Sequence, residues 1–139
     1  MPRFSLIVAT IGRTQELQTL LRSLEEQQLR DFELIVVDQN PDHRLTAILQ
    51  DWTAKLAQAK AQSNGSVETM HLRCAAGVSP ARNLGIRHSS GEFLAFPDDD
   101  CWYQPDALSN IDQWFMANPQ YEILSLSCRD ERRQKSGND

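Results

Sequence analysis

The sequence predicts an α/β protein with an open, mostly parallel sheet flanked by helices. Short apolar segments that suit buried strands alternate with segments whose apolar residues recur every three or four positions, as on helices packed against a sheet. Polar residues follow directly after several of these strands. Because the carboxyl ends of parallel strands meet at one edge of a sheet, we expect those polar residues to form a single ligand site.

The composition narrows the classes of protein to be considered. The chain has 139 residues, of which 40% are hydrophobic and 24% charged, as is typical of one globular domain. Its formal net charge of −5 argues against nucleic-acid binding, which requires a basic face. The three widely spaced cysteines suit neither a disulfide framework nor a zinc site, and no apolar run is long enough for a transmembrane segment. We expect a cytoplasmic protein, either free or peripheral at the inner face of the membrane.

The opening forty residues predict a strand–helix–strand unit. Residues 4–9 and 32–37 are apolar runs typical of buried strands. Thr14 is the expected N-cap of the helix between them. The apolar positions of that helix follow the i, i+3, i+4, i+7 pattern and are Leu17, Leu20, Leu21 and Leu24. Such a connection is nearly always right-handed, so the two strands should be parallel.

The remaining chain continues the alternation. The predicted elements are, in order, a helix over 45–56, a strand over 67–72, a helix over 79–88, a central strand over 93–96, a helix over 105–118 and a strand over 123–126. Asn64-Gly65 marks a turn before the second of these. Ser79 is the expected N-cap of the next helix, with Pro80 at its first position, and Pro105 opens the last helix.

Three consecutive carboxylates, Asp98, Asp99 and Asp100, follow the predicted central strand. At ~4 Å and an effective dielectric constant of ~20, two like charges repel by about 4 kcal/mol, so the triplet is not there for stability. A hard cation would remove the repulsion, and carboxylates are the ligands that Mg²⁺ and Mn²⁺ prefer. We expect a divalent metal here rather than a solvated acidic turn. Cys101 is expected to pack beside the triplet because thiolates suit softer metals.

Three further groups stand where strand ends should converge: the Thr10–Arg13 turn, Asp38-Gln39 and the segment 77–83. Asp38 and Gln39 offer acceptors and one amide donor, which suits the edge of a base or a ribose. A metal on the acid triplet would bind a diphosphate. The economical ligand is therefore a metal-bound nucleotide diphosphate.

These residues also carry a resemblance to a known family. The segments SLIVATIGR, DFELIVVDQN and AAGVSPARNLGIRHSSGEFLAFPDDDCW resemble the donor half of a family 2 glycosyltransferase with the GT-A fold. The resemblance runs from about Phe4 to Leu126. Its most specific part is the spacing from Gly77 through Arg82-Asn83 to the acid triplet.

The resemblance implies a role for each matched position near the first two strands. Thr10, Ile11 and Gly12 would line the pocket for the nucleobase and ribose. Asp38 would order the base-binding loop. Gln39 stands where the family often has a second aspartate that contacts the base, and an amide can also pair with a base edge.

The resemblance implies further roles later in the chain. Gly77 and Asn83 would flank the nucleotide. The triplet matches the DxD-type motif of the family, with Asp99 on the ribose side, Asp98 in support and Asp100 as a direct metal ligand. Alternation of side chains on an extended chain would instead pair Asp98 with Asp100, and the sequence leaves both arrangements open.

For the complete enzyme the resemblance implies transfer of a sugar from a nucleotide-diphosphate donor, UDP-type or other, to an unknown acceptor by inverting displacement. The family's catalytic base lies in a following, acceptor-binding half, so no residue of this chain is assigned that role. We expect a nucleotide-sugar-binding domain over 1–128 that lacks the acceptor half, and a polar tail over 129–139.

Two rival hypotheses remain open at this stage. A Mg²⁺-dependent nucleotidyltransferase would carry a basic phosphate loop after its first strand, where Arg13 is the only basic residue. A non-catalytic nucleotide-binding fragment is the other.

Overall fold

The computed structural model describes residues 1–60 and 67–125. Their elements are, in order, β1 (Phe4–Thr10), α1 (Thr14–Glu25), β2 (Phe32–Asp38), α2 (Thr46–Lys60), β3 (Glu68–Arg73), α3 (Val78–His88), β4 (Phe93–Ala95) and α4 (Ala107–Ala117). The strands form one parallel sheet in the order β3-β2-β1-β4. This confirms the predicted fold class. The predicted turn at Asn64-Gly65 and the tail over 129–139 lie outside the described residues.

β1 and β2 form the centre of the described sheet and are covered on both faces. Phe4 is in register with Phe32, and Thr10 with Asp38. Because side chains alternate between the two faces of a strand, one set packs with α1, α2 and α4, and the other set faces α3. A strand covered on both sides needs apolar residues at consecutive positions, which explains the unbroken apolar runs in the sequence.

α1 and α3 lie on opposite faces of the sheet. The four leucines predicted to form the buried stripe of α1 are each at most 2% exposed, which confirms the prediction. α3 approaches β1 so closely that a Cβ atom at Gly85 would overlap the side chain of Ile7. This close approach brings the start of α3 beside the ends of β1 and β2. None of the helices in the described residues has the length and apolar character needed to traverse a bilayer.

The N-terminal ends of three helices differ from the prediction. Thr14, the predicted cap, is the first residue of α1. α3 begins one residue before Ser79, so Gly77 is its N-cap and Pro80 is its third residue. α4 begins two residues after Pro105. Proline is tolerated throughout a first helical turn, because the first four N–H groups have no partner within the helix, so it does not mark a single starting residue.

β4 is shorter and more exposed than the sequence predicts. The predicted buried central strand over 93–96 is the three-residue β4, which pairs only with β1 and is an edge of the sheet in the described part of the chain. Leu94 and Phe96 are 43% and 41% exposed. Residues 123–125, the described part of the predicted last strand, are not in a strand. The prediction was wrong here because an apolar run does not show how many neighbours a strand has.

A polar network centred on the buried residues Ser5 and Glu33, which the sequence reasoning missed, joins β1 and β2 to the α3–β4 connection. Glu33 Oε1 accepts hydrogen bonds from Ser5 Oγ at 2.5 Å and Ser90 N at 2.6 Å, and Oε2 accepts one from Ser90 Oγ at 3.0 Å. Gly91 N donates to Ser5 Oγ at 2.7 Å. Burial raises the pKa of Glu33, but these hydrogen bonds outweigh it and hold the pKa below its usual value. The network fixes the path of the chain toward the acid triplet.

Candidate functional site

The carboxyl ends of the described strands converge at one edge of the sheet. Thr10, the last residue of β1, is in register with Asp38, and Asp38 is in register with Arg73 at the end of β3. Thr10 Oγ1 donates a hydrogen bond to Asp99 Oδ2 at 2.9 Å. The acidic turn after β4, which consists of Asp98, Asp99 and Asp100, therefore lies against the end of β1. This confirms the prediction that Asp38 and Asp99 share one edge.

The Thr10–Arg13 turn is held by the residues that follow β2. Gly12 has a φ of 72°, in the left-handed region that favours glycine, and its N–H donates to Asn40 Oδ1 at 2.7 Å. Gln39 N donates to Thr10 O at 3.0 Å. Ile11, at the tip of the turn, is 48% exposed. The turn therefore presents an exposed apolar side chain on an anchored backbone.

Asp38 is completely buried, and its carboxylate is engaged by neighbouring side chains and backbone. Oδ1 accepts hydrogen bonds from Asn40 N at 2.9 Å and Asn40 Nδ2 at 2.8 Å. Oδ2 lies 2.9 Å from His71 Nε2 and 3.9 Å from Arg73 NH1. A carboxylate held in this way orders the loop after β2. Sequence reasoning missed Asn40 and His71, although a histidine inside the predicted strand over 67–72 is a signal for a polar partner on a neighbouring strand.

Gln39 connects the end of β2 to the start of α3. Its Oε1 atom accepts a hydrogen bond from Gly77 N at 2.6 Å, and the residue is only 7% exposed. The side-chain carbonyl of Gln39 is thus bonded to the backbone of α3, whereas its amide NH₂ takes no part in this hydrogen bond. Asn83 is exposed on α3, and within the described residues no hydrogen bond or ion pair joins it to the other predicted site residues.

The three carboxylates of the acidic turn have different environments. The side chain of Asp99 is 14% exposed and is bound by Thr10, whereas those of Asp98 and Asp100 are 63% and 48% exposed. Arg13 NH1 lies 2.6 Å from Asp100 Oδ2, and Arg13 Nε lies 3.8 Å from Asp99 Oδ1. Arg82 NH2 lies 3.9 Å from Asp98 Oδ1. Two arginines therefore offset part of the charge of the triplet.

The exposed donor atoms of this turn suit a divalent cation. Asp98, Asp100 and Cys101 each offer one atom, and these atoms lie within 4.8 Å of one another. Two carboxylate oxygens are ligands for Mg²⁺ or Mn²⁺, whereas a thiolate prefers softer metals. Cys101 Sγ lies 3.9 Å from Asp100 Oδ1, so the thiol borders the carboxylate of Asp100. The grouping pairs Asp98 with Asp100 and sets Asp99 apart, which is the arrangement that side-chain alternation favours.

Ser23 in the last turn of α1 and Gln27 just after that helix anchor the loop that follows the acidic turn. Gln27 is 2% exposed, its Nε2 donates to Gln104 O at 2.7 Å, and its Oε1 accepts a hydrogen bond from Leu108 N at 3.2 Å. Ser23 Oγ accepts one from Tyr103 N at 3.1 Å. The sequence analysis missed these residues. Ser23 and Gln27 lie three and seven positions after Leu20, so they continue the buried stripe of α1. Polar residues at such positions predict buried hydrogen-bond partners.

Comparison of the sequence with known proteins identifies one family. The family model described as Glycosyl transferase family 2 matches residues 5–133. A GalNAc(5)-diNAcBac-PP-undecaprenol beta-1,3-glucosyltransferase of Campylobacter jejuni is 30% identical over 132 residues, which are 95% of this chain and 40% of that protein. An uncharacterized glycosyltransferase of Haemophilus influenzae is 28% identical over 120 residues, 86% of this chain and 37% of that protein. The chain thus spans about two fifths of the length of these relatives.

Solved structures of glycosyltransferases have a similar fold. S. aureus TarS matches with a TM-score of 0.68 and 26% identity, over 84% of this chain and 20% of that one. TarS 1-349 in complex with UDP matches with a TM-score of 0.66 and 25% identity, over 83% and 32% of the two chains. The mannosyltransferase PcManGT of Pyrobaculum calidifontis, in complex with GDP-Man and Mn²⁺, matches with a TM-score of 0.62 and 25% identity, over 82% and 32%. The chain has the GT-A fold, and it belongs to glycosyltransferase family 2.

Proposed function

We propose that this chain is the donor-binding part of a family 2 glycosyltransferase and binds a nucleotide-diphosphate sugar together with a divalent cation. The observation that carries the proposal is the hydrogen bond from Thr10 to Asp99, because it brings the acidic turn to the strand end that is in register with Asp38. The nucleotides bound by similar structures, UDP in TarS and GDP-Man with Mn²⁺ in PcManGT, support this class of donor.

The nucleoside would lie along the edge formed by the first two strands. The anchored turn at Thr10, Ile11 and Gly12 would line the base and ribose. Gln39 would donate its amide hydrogens to the base edge, because its carbonyl is occupied by Gly77 N. Gly77 opens α3, whose first N–H groups favour an anion such as a phosphate, and Asn83 on that helix would flank the nucleotide.

The diphosphate would meet the acidic turn through the cation. Asp98 and Asp100 would hold Mn²⁺ or Mg²⁺ through carboxylate oxygens, and Asp99, oriented by Thr10, would face the ribose. A cation held there would supply positive charge that stabilises a leaving diphosphate. In the complete enzyme the reaction would be an inverting displacement, in which a base deprotonates an acceptor hydroxyl that attacks the anomeric carbon. The acceptor and the base are not assigned to this chain.

Thermal unfolding with UDP, GDP, dTDP and ADP, each with and without Mn²⁺, tests the proposal. Nucleotide and metal should stabilise the fold together far more than either does alone, because without the metal an anionic diphosphate meets the negative triplet. At a free ligand concentration ~100-fold above the dissociation constant, stabilisation should approach ~2.7 kcal/mol.

Two variants make this test specific to the triplet. Asp100→Asn should remove the metal-dependent part of the stabilisation, because it deletes the charge of a proposed ligand and keeps its shape. Asp51→Asn is the matched control, since Asp51 is an exposed carboxylate on α2, paired with Lys55 at 3.3 Å. The proposal is wrong if no nucleotide shifts the unfolding midpoint in a metal-dependent way, or if Asp100→Asn responds as the parent does.

A further inference from the structure

We infer that Arg13 exchanges partners when the donor binds: it neutralises Asp100 while the cation site is empty, and it binds the diphosphate once a cation has taken Asp100. The inference rests on the proposed function and adds to it a residue that the sequence analysis left without a role. It assigns to one arginine both the protection of the empty site and the recognition of the phosphate.

The first observation is the place of the Arg13 guanidinium. NH1 lies 2.6 Å from Asp100 Oδ2, and Nε lies 3.8 Å from Asp99 Oδ1. An arginine guanidinium carries its positive charge at every physiological pH, so both contacts join opposite charges. The guanidinium therefore lies against Asp100, one of the residues whose side-chain atoms are close enough together to bind a cation.

A second observation is that the pair is easily broken. The side chains of Arg13 and Asp100 are 51% and 48% exposed, and exposed ion pairs contribute little to stability. A divalent cation bound by Asp100 would repel the adjacent guanidinium and compete for the same oxygen lone pairs. Cation binding and the Arg13–Asp100 pair thus oppose each other at little cost to the fold.

The backbone under Arg13 is fixed, so that its release moves only the side chain. Arg13 O accepts a hydrogen bond from Leu17 N at 3.2 Å, in the first turn of α1. The preceding N–H, that of Gly12, is held by Asn40 Oδ1 at 2.7 Å. The long side chain therefore stays beside the acidic turn after it leaves Asp100. A cation-bound diphosphate at this turn would lie within its reach, and a guanidinium matches phosphate oxygens with two parallel hydrogen bonds.

Arg82 provides a contrast on the other side of the turn. Its NH2 atom lies 3.9 Å from Asp98 Oδ1, farther than Arg13 lies from Asp100. Its guanidinium also lies over the ring of Phe96, 5.8 Å from the ring centroid, and so has a second partner. Arg82 contributes charge to the same region without a close bond to a proposed metal ligand, which makes it the matched control.

The experiment measures two affinities for the parent and for Arg13→Gln. Mn²⁺ binding without nucleotide is followed by electron paramagnetic resonance, and UDP binding at saturating Mn²⁺ is followed by calorimetry. Arg13→Gln should bind Mn²⁺ about threefold more tightly, as expected for removal of one exposed ion pair. It should bind UDP about tenfold more weakly, because a charge-assisted contact to phosphate is lost. Arg13→Lys should keep the parent's Mn²⁺ affinity, since it keeps the charge.

Two controls separate partner exchange from a general change in charge. Arg82→Gln should change Mn²⁺ affinity by less than Arg13→Gln does, and Arg13→Lys, which keeps the charge, should match the parent. Equal effects of the two arginine variants, or unchanged or weaker Mn²⁺ binding by Arg13→Gln, would overturn the exchange while the parent still binds UDP with Mn²⁺. A parent that fails to bind UDP and Mn²⁺ together would overturn the proposed function itself, and the exchange with it.

Discussion

The substitution Glu33→Gln should lower the free energy of unfolding by about 1.5–3 kcal/mol at neutral pH. Glu33 is 6% exposed, and its carboxylate accepts hydrogen bonds from Ser5 Oγ, Ser90 N and Ser90 Oγ. A hydrogen bond to a charged group contributes about 1.5–3 kcal/mol, roughly twice the neutral value. An amide oxygen could keep the two bonds at Oε1 at neutral strength, so about half of each contribution is lost, and the two losses together give the expected range.

The same substitution should also reduce the dependence of stability on pH. Burial raises the pKa of Glu33, but the hydrogen bonds from Ser5, Ser90 and Gly91 outweigh it, so the folded-state pKa lies below the ordinary value of 4.5. The unfolded chain therefore binds more protons in this range. The stabilisation is fully present above the unfolded-state pKa and is lost as pH falls through the lower folded-state pKa. The stabilities of parent and variant should converge across that window.

Urea unfolding followed by circular dichroism at about pH 7, 5 and 3.5 measures both effects. Glu26→Gln is the control, because Glu26 is an exposed carboxylate just after α1, and its substitution should change stability by less than about 0.5 kcal/mol. A Glu33→Gln variant as stable as the parent near pH 7 would refute the argument. So would a difference in stability that grows on acidification.

Two further substitutions test how the strand-end loops are held. Gly91→Ala should destabilise the fold by about 1–3 kcal/mol in urea unfolding, because its Cβ would lie 2.5 Å from Ser5 Oγ and 2.6 Å from Ser5 N. An unchanged midpoint would show that the α3–β4 connection shifts freely. Asn40→Ala should cost about 1–3 kcal/mol and weaken UDP–Mn²⁺ binding in calorimetry, because it removes the acceptor for Gly12 N and a donor to Asp38. Parent-like UDP binding would show that the Thr10–Arg13 turn needs no such support.

The sequence by itself determined the elements at the centre of the sheet and the edge at which the site lies. β1, β2 and the buried face of α1 follow from periodicity within a few contiguous residues, and burial on both faces requires their unbroken apolar runs. The location of the polar groups after strand ends is also local information. Because the carboxyl ends of parallel strands lie at the same edge of a sheet, the proximity of Thr10 and Asp99 could be predicted.

Only the tertiary structure decided which partners the polar side chains take. Gln39 carries an amide that could face a ligand, yet its carbonyl binds Gly77 N, and Arg13 lies against Asp100, 87 positions away. Glu33 reads as a surface residue within an apolar run, yet its strand's central place in the sheet buries it against Ser5 and the α3–β4 connection. β4 reads as central and is an edge of the described sheet. Periodicity records which face of an element is covered, whereas strand order and register bring distant residues together, so these contacts exist only once the sheet has formed.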